Sequence, residues 1–200
     1  MIYADAMKIL FLDLASHDAL IACVDDQKLV ASESVHARIG DHELIPMTEK
    51  VLKSAEWKFE DLESIACIVG PGGFTSLRVA VTYANVLADQ LGVPTAGVHL
   101  SDLYLARSQD PEVYWVHSTK KDQLFIRGGQ WKEPTLISVE EIRNPKSEIR
   151  NWMGELIDEH REKIESDSID LQPISDVLPE LLHAQKYGQE LLHPWYGRGW

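Results

Sequence analysis

The sequence predicts an α/β fold in which helices flank a mixed sheet. Three observations indicate it: apolar strand-like runs alternate with helical patterns, the first three runs follow one another as a β-meander, and a glycine-rich junction leads from a strand directly into a helix. A hydrophobic content of 44% in 200 residues supplies a substantial core. No run approaches the roughly 20 apolar residues of a membrane span, and no secretory signal precedes the first strand. We therefore expect a cytoplasmic globular protein.

The predicted elements divide into two lobes, residues 1–108 and a smaller lobe of residues 109–200. In the first lobe, the patterns predict strands at 7–14, 19–24, 29–35, 64–69 and 95–99, and helices at 41–55, 76–91 and 101–107. In the second lobe they predict strands at 113–117, 124–127 and 135–139, followed by helices after the capping box of Ser138 and Glu141, from Ser147, and around 178–185. Asp41 is the expected N-cap of the helix at 41–55.

The junction at residues 65–78 (IACIVGPGGFTSLR) is the most informative segment. Its glycines permit positive φ and the close approach of another group, and Thr75 or Ser76 is expected to cap the following helix. Either an anion or a partner chain can occupy such a junction. The residues that would contact a nucleotide or anion are Asp13, Ser16, Gly70, Gly72, Gly73 and Thr75.

Asp13, at the end of the first predicted strand, has two interpretations. A carboxylate in that position, with Ser16 nearby, can order a hydrated magnesium ion beside a phosphate. A single acid is weak evidence for a metal site, and a buried or turn-capping Asp13 is the favoured interpretation. His36 and His42 are too far apart in sequence to share one helical face, so no metal site is predicted.

The helix at 76–91 carries more apolar surface than one core contact requires. Leu77, Ala80, Ala84 and their helical neighbours form one apolar face, while Val79, Tyr83 and Val86 recur on another side. A monomer should not leave such a strip in water, and small alanines one turn apart would let a neighbouring helix approach. The alternative is a central helix buried on both sides within its own domain. The predicted interface residues are Met47, Val51, Val79, Tyr83, Val86 and Gln90.

Charge and cysteine content narrow the function further. The formal net charge of −13 argues against a protein that binds nucleic acid without a partner, because phosphate binding needs a basic surface. Lys120, Lys121 and Arg127 could nevertheless form a small basic patch. Such a patch is more often a solvated edge. Cys23 and Cys67 lie in apolar runs, where buried reduced thiols are commoner than disulfides or zinc ligands.

Several segments resemble the TsaB (YeaZ) family over nearly the whole chain. They are residues 7–13 (MKILFLD), 42–47 (HELIPM), 70–78 (GPGGFTSLR) and 91–94 (LGVP), with 194–198 (PWYGR) similar to the family's Pro-x-Tyr-x-Arg ending. The glycine block together with the His-x-x-Leu-Ile-Pro segment is a fairly specific pair. Members of this family are the dimerisation subunit of the bacterial complex that makes threonylcarbamoyladenosine in tRNA.

The resemblance implies a two-lobed fold of the actin, sugar-kinase and Hsp70 type with a reduced second lobe. It also implies a noncatalytic subunit that pairs with the transferase TsaD through helices corresponding to 41–55 and 76–91, with the ATPase TsaE completing the set. No cofactor is required and tRNA is contacted only through the complex, whereas ATP or ADP with magnesium at a subunit interface stays open, as does a homodimer. The alternative is a nucleotide-binding ATPase or kinase-like protein of the same superfamily.

The chain departs from the family pattern at a few positions. Gly73 and Ser76 stand where the family usually has serine and glycine, and Ala80 replaces a glycine. Partner choice or interface spacing is therefore expected to differ. Family members commonly begin at the position of Met7, which leaves either Met1 or Met7 as the start. Residues 164–175 lack a glycine-rich nucleotide loop, which favours loss of ATP hydrolysis.

Overall fold

The computed structural model describes residues 7–25, 28–36, 39–120, 122–142, 149–164 and 168–197. Contacts divide the chain into two units. The first holds the chain up to Leu100 together with Ile174–Tyr196, and the second holds Ser101–Pro173. The predicted division into 1–108 and 109–200 therefore differs from the structure, because the last helix and the segment after it belong to the first unit.

The first unit contains a five-stranded mixed sheet in the order β3-β2-β1-β4-β5. β1 pairs antiparallel with β2 and parallel with β4, as expected for a meander followed by helical crossovers. Its strands are β1 (Ile9–Asp13), β2 (Ala19–Val24), β3 (Leu29–Val35), β4 (Ser64–Gly70) and β5 (Thr95–His99). Its helices are α1 (Asp41–Ser54), α2 (Phe74–Leu91) and α6 (Ile174–His183). A further helix, α3 (Leu100–Ala106), begins at Leu100, where the chain passes from the first unit to the second.

Both faces of this sheet are covered. β1 and β2 are buried along their whole length. Alternate residues of β1, β2 and β4 share one core with α1 and α2. α6 packs on β3 and buries Val177, Leu178 and Leu182. The need to cover so much apolar strand surface explains why a helix from the end of the chain returns to this unit.

The second unit contains a four-stranded sheet in the order β8-β7-β6-β9, which repeats the meander-plus-parallel-strand arrangement of the first sheet. Its strands are β6 (Tyr114–Lys120), β7 (Gln123–Gly128), β8 (Trp131–Ser138) and β9 (Trp152–Glu155), with short helices α4 (Val139–Ile142) and α5 (Asp158–Arg161). β8 begins earlier than predicted and includes Pro134, which an edge strand tolerates because it pairs on one side alone.

Two predictions at the helix termini are tested by the structure. The capping box is confirmed, since the amide of Ser138 donates to Glu141 at 2.9 Å and the amide of Glu140 donates to Ser138 at 3.3 Å. The N-cap of α1 is Gly40 rather than Asp41, because Asp41 already has helical geometry.

The helix predicted from Ser147 is wrong. Ser147 itself lies outside the described residues, and Trp152 and Met153 form β9, parallel to β6. Both residues are buried on opposite sides of the strand. Adjacent buried residues of this kind fit a covered strand as well as a helix, so their spacing alone does not decide between the two. Within the described chain, no helix has the length and apolar character needed to cross a bilayer.

Candidate docking surface

The glycine junction connects β4 to α2 over three residues. Gly73 is the N-cap of α2, and no side chain caps this terminus. The prediction that Thr75 or Ser76 caps the helix is wrong, because both residues lie in its first turn. Glycine in place of a capping serine costs only a few tenths of a kcal/mol.

The space that the glycines open is occupied by the chain itself. Gly70 has a φ of +143°, and a Cβ there would lie 2.2 Å from the carbonyl oxygen of Trp195. The amide of Trp195 donates to the carbonyl of Val69 at 2.7 Å. A Cβ on Gly72 would lie 2.8 Å from the Cβ of Ala15. These two glycines therefore accommodate neighbouring segments of the same unit, and their contact with an anion stays a prediction.

Residues 188–196, which we call the C-terminal strap, are fastened to the first unit along their length. Gly188 and Thr95 exchange two backbone hydrogen bonds of 2.8 and 2.9 Å. The side chain of Asn85 donates to the carbonyl of Leu192 at 3.0 Å and accepts from its amide at 2.9 Å. Trp195 packs edge-on against His99 with ring centroids 4.5 Å apart. The strap thus ties α2, β5 and the glycine junction together.

Asp13 serves the turn that follows β1. Its carboxylate accepts the amides of Ala15 at 2.9 Å and Ser16 at 3.0 Å, and it also accepts the hydroxyl of Ser16. The side chain is buried. Burial raises the pKa of Asp13 above its ordinary value of 3.8, although the hydrogen bonds from Ser16 and Ala15 oppose the shift. The interpretation of Asp13 as a buried turn cap is confirmed by this geometry.

Replacement of Asp13 separates its capping role from its charge. Asp13→Ala should lower the free energy of unfolding by about 2–4 kcal/mol, because two amides in a buried turn lose their acceptor. Asp13→Asn keeps an acceptor and should cost far less. Because the pKa of Asp13 is raised on folding, its stabilising contribution is complete below pH 3.8 and is lost as the pH rises through the folded-state pKa. Urea unfolding should therefore show that the free energy of unfolding of Asp13→Asn rises relative to that of wild type as the pH rises. A difference between the two free energies that does not change with pH would contradict this account.

The core side of α2 differs from the prediction. Ala80, Ala84 and Ala88 are buried against the sheet of their own unit, where α2 packs on β4. They therefore do not admit a neighbouring molecule. Val51 is 2% exposed and belongs to the same core, so its prediction as an interface residue is wrong. The helical spacing of Val51 with Leu44 accounts for this burial.

The other predicted interface residues leave apolar surface in solvent. Val86 is 55% exposed and Gln90 is exposed, while Met47, Val79 and Tyr83 are half-buried at the edge of the core. The structure adds Ile45, which is 52% exposed and is absent from the predicted set. Met47 lies about 200° around α1 from Ile45, on the other side of the helix, so we call the remaining five residues the docking face: Ile45, Val79, Tyr83, Val86 and Gln90.

The surroundings of Tyr83 show that α1 and α2 lie side by side at the docking face. Burial raises the pKa of the Tyr83 hydroxyl, a hydrogen bond with Thr48 opposes this shift, and the charge of Glu49 adds to it. Thr48 and Glu49 on α1 are therefore neighbours of Tyr83 on α2. Ile45 lies one turn before Glu49, and Val86 lies one turn after Tyr83, so both exposed aliphatic side chains flank this contact.

The remaining candidate groups are used within the fold. Arg127 donates to Ser101 at 2.8 Å and forms an ion pair with Asp102, so its guanidinium is committed within the second unit. Lys121 lies outside the described residues. Both cysteines are buried free thiols, as predicted, and burial raises the pKa of Cys23 to about 12 and that of Cys67 further. The described residues contain no cluster of three or more side chains suited to a metal ion.

Comparison with known proteins identifies a family. Residues 35–136, just over half of the chain, match the family model described as TsaD: tRNA N6-adenosine threonylcarbamoyltransferase. The chain is 28% identical over 145 residues to the tRNA threonylcarbamoyladenosine biosynthesis protein TsaB of Buchnera aphidicola, a match that covers 63% of this chain and 62% of that protein. It is 24% identical to the protein of the same name from Bacillus subtilis, over 86% of this chain and 77% of that protein.

Catalytic relatives match over a smaller part of their length. The chain is 30% identical over 113 residues to the tRNA N6-adenosine threonylcarbamoyltransferase of Moorella thermoacetica, covering 48% of this chain and 33% of that enzyme. The matched part thus spans about a third of that transferase and slightly under two thirds of the Buchnera protein.

Solved structures establish the fold. A crystal structure described as an uncharacterised protein with similarity to peptidase YEAZ, from Pseudomonas aeruginosa, matches with a TM-score of 0.73 at 20% identity, over 96% of this chain and 100% of that one. YeaZ from the same organism matches with a TM-score of 0.71 at 20% identity, over 94% and 99% of the two chains. The chain therefore belongs to the family of the TsaD model, and within it to the TsaB or YeaZ type, with an α/β fold of the actin, sugar-kinase and Hsp70 kind.

Proposed function

We propose that this protein acts in the biosynthesis of tRNA threonylcarbamoyladenosine as a noncatalytic subunit that pairs with the transferase TsaD. The single observation that carries the proposal is the docking face, where Ile45 and Val86 are 52% and 55% exposed beside the half-buried Tyr83. An interface of ordinary size covers about 800 Å² on each partner, with a central aromatic side chain as anchor. Tyr83 is suited to that role because its ring already rests on the core.

The names of the relatives supply the pathway. Relatives of the TsaB type are named for tRNA threonylcarbamoyladenosine biosynthesis, and relatives of the TsaD type are named as the transferase. The net charge of −13 favours contact with tRNA through the assembled complex rather than by this chain alone. TsaE is the further partner that we propose for that complex.

The alternative is a nucleotide-binding member of the same superfamily. It rests on the position of Asp13 beside the glycine junction, where Ala15 touches Gly72. Against it, Asp13 binds the amides and hydroxyl of its own turn, and the C-terminal strap lies over Gly70. Asp13 and Gly70 are therefore engaged within the chain, which disfavours this alternative.

Two measurements test the proposal. Threonylcarbamoyladenosine formation on tRNA should require this chain when it is added to purified TsaD and TsaE with the threonylcarbamoyl-adenylate donor, and full activity without the chain would contradict the proposed role. Titration of the isolated chain with ATP and magnesium in a calorimeter should give no heat of tight binding. Tight binding would favour the nucleotide-binding alternative.

A further inference from the structure

The exposed end of α2 carries an aromatic and cationic cluster that lies outside the docking face. Phe74 is 56% exposed and its ring lies 5.2 Å from the ring of Tyr196, measured between centroids. The guanidinium carbon of Arg78 lies 4.0 Å from the centroid of Phe74. The Nε of Arg78 donates to the Tyr196 hydroxyl at 3.3 Å. We call these three residues the arginine cluster.

The cluster holds Arg78 in one orientation. Stacking on Phe74 and the hydrogen bond to Tyr196 restrict a side chain that would otherwise sample many rotamers. Tyr196 is itself positioned by the C-terminal strap, because the neighbouring Trp195 is bound to Val69 and packs on His99. The strap therefore places the aromatic ring of Tyr196 beside Arg78, which lies far earlier in the sequence. Because Phe74 and Arg78 are exposed, this contact does not contribute to the buried core.

The charge of the cluster is unbalanced. The chain has 32 acidic residues against 19 Lys and Arg residues, so carboxylates outnumber these cations. Arg78 nevertheless forms no ion pair with any residue in the described ranges. A planar guanidinium, held flat on a ring and open to solvent, is suited to bind a carboxylate through two parallel hydrogen bonds.

The cluster is continuous with the docking face along α2. Phe74, Arg78, Thr82, Val86 and Gln90 succeed one another at intervals of four residues, and all are exposed. Successive residues at this spacing turn by about 40° around the helix axis, so they form a ridge that winds across the exposed surface of α2. A partner that covers Val86 therefore has Arg78 two turns away along the same ridge.

We infer that the arginine cluster is a second contact region for the partner, and that it receives a carboxylate side chain of TsaD beside the segment that covers the docking face. This inference rests on the proposed function. The C-terminal strap then takes part in partner binding through Tyr196. The choice of partner depends on the charge of Arg78 as well as on the apolar area of the docking face.

The test uses the full chain, purified TsaD from the same genome, and calorimetry to measure the dissociation constant. Arg78→Glu should raise it about 30-fold or more, because the change replaces an attraction at a covered site with a repulsion. Arg161→Glu is the matched control, since Arg161 is exposed on α5 in the second unit and the variant has the same net charge. It should change the constant by less than about threefold. Tyr196→Ala should raise it roughly tenfold.

The outcomes separate the two proposals. If wild type and TsaD do not associate, the proposed function and this inference both fail. If wild type associates and Val86→Asp prevents it, but Arg78→Glu behaves like Arg161→Glu, only the inference fails. Binding that weakens with added salt in wild type, and much less in Arg78→Ala, would support the charge contact. Loss of tRNA binding by Arg78→Glu, with TsaD binding unchanged, would overturn it. Thermal melting of each variant confirms that the chain is folded.

Discussion

The double substitution Ile45→Asp with Val86→Asp should abolish association with TsaD while the isolated chain stays folded. Both side chains are more than half exposed, so the free energy of unfolding should change by less than about 1 kcal/mol. In the complex, each substitution would bury a carboxylate in an apolar contact, and the dissociation constant should rise at least about 100-fold. Calorimetric titration of TsaD measures the association, and thermal melting measures the fold.

A matched control is available in the second unit. Ile157 is 43% exposed and lies outside the docking face, so Ile157→Asp should leave the dissociation constant unchanged. Equal loss of binding in this control would contradict the location of the docking face. Val79→Asp with Tyr83→Asp is a poorer test, because both side chains pack against the core and the substitutions would also destabilise the fold.

Gly70→Ala should destabilise the protein more than the same substitution at Gly92. The added Cβ would lie 2.2 Å from a backbone oxygen of the C-terminal strap, and the φ of +143° is unfavourable for alanine. The strap would have to move, which removes its contacts with Val69 and Asn85. We expect a loss of about 3 kcal/mol or more in the free energy of unfolding, and a fall of about 10 °C in melting temperature.

Gly92→Ala is the control for backbone strain without a steric clash. Gly92 ends α2 with a φ of +68°, and nothing lies within 4 Å of its Cβ position. Its replacement should therefore cost about 1–2 kcal/mol, from the left-handed conformation alone. Limited proteolysis should cut the strap faster in Gly70→Ala than in Gly92→Ala. Equal stability and equal proteolysis in the two variants would contradict the packing of the strap on Gly70.

The elements of the first unit could be predicted because each has a strong local signal. β2 and β3 begin and end where apolar runs meet polar residues, β5 begins directly after Pro94, and α1 and α2 have regular helical spacing. The return of α6 to this unit had no such signal. It depends on the second apolar face of the sheet, which is a tertiary requirement that no window of sequence contains.

The candidate site was predicted in part. The second apolar strip of α2 exists, but Val51 and the alanines belong to the core, because burial depends on which side of each helix meets the sheet. Ile45 was missed although a signal was present: Leu44, Val51 and Leu52 define the core side of α1, which leaves Ile45 outside it. The occupant of the glycine junction could not be predicted, since Trp195 is distant in sequence from Gly70.

Photocrosslinking from position 86 tests most directly what covers the docking face. A benzophenone amino acid in place of Val86 should give one covalent adduct with TsaD, whose mass equals the sum of the two chains. The same amino acid in place of Ile157 should give none. A TsaD adduct from position 157 but not from position 86 would contradict the account, because the exposed surface of α2 would then face solvent in the complex.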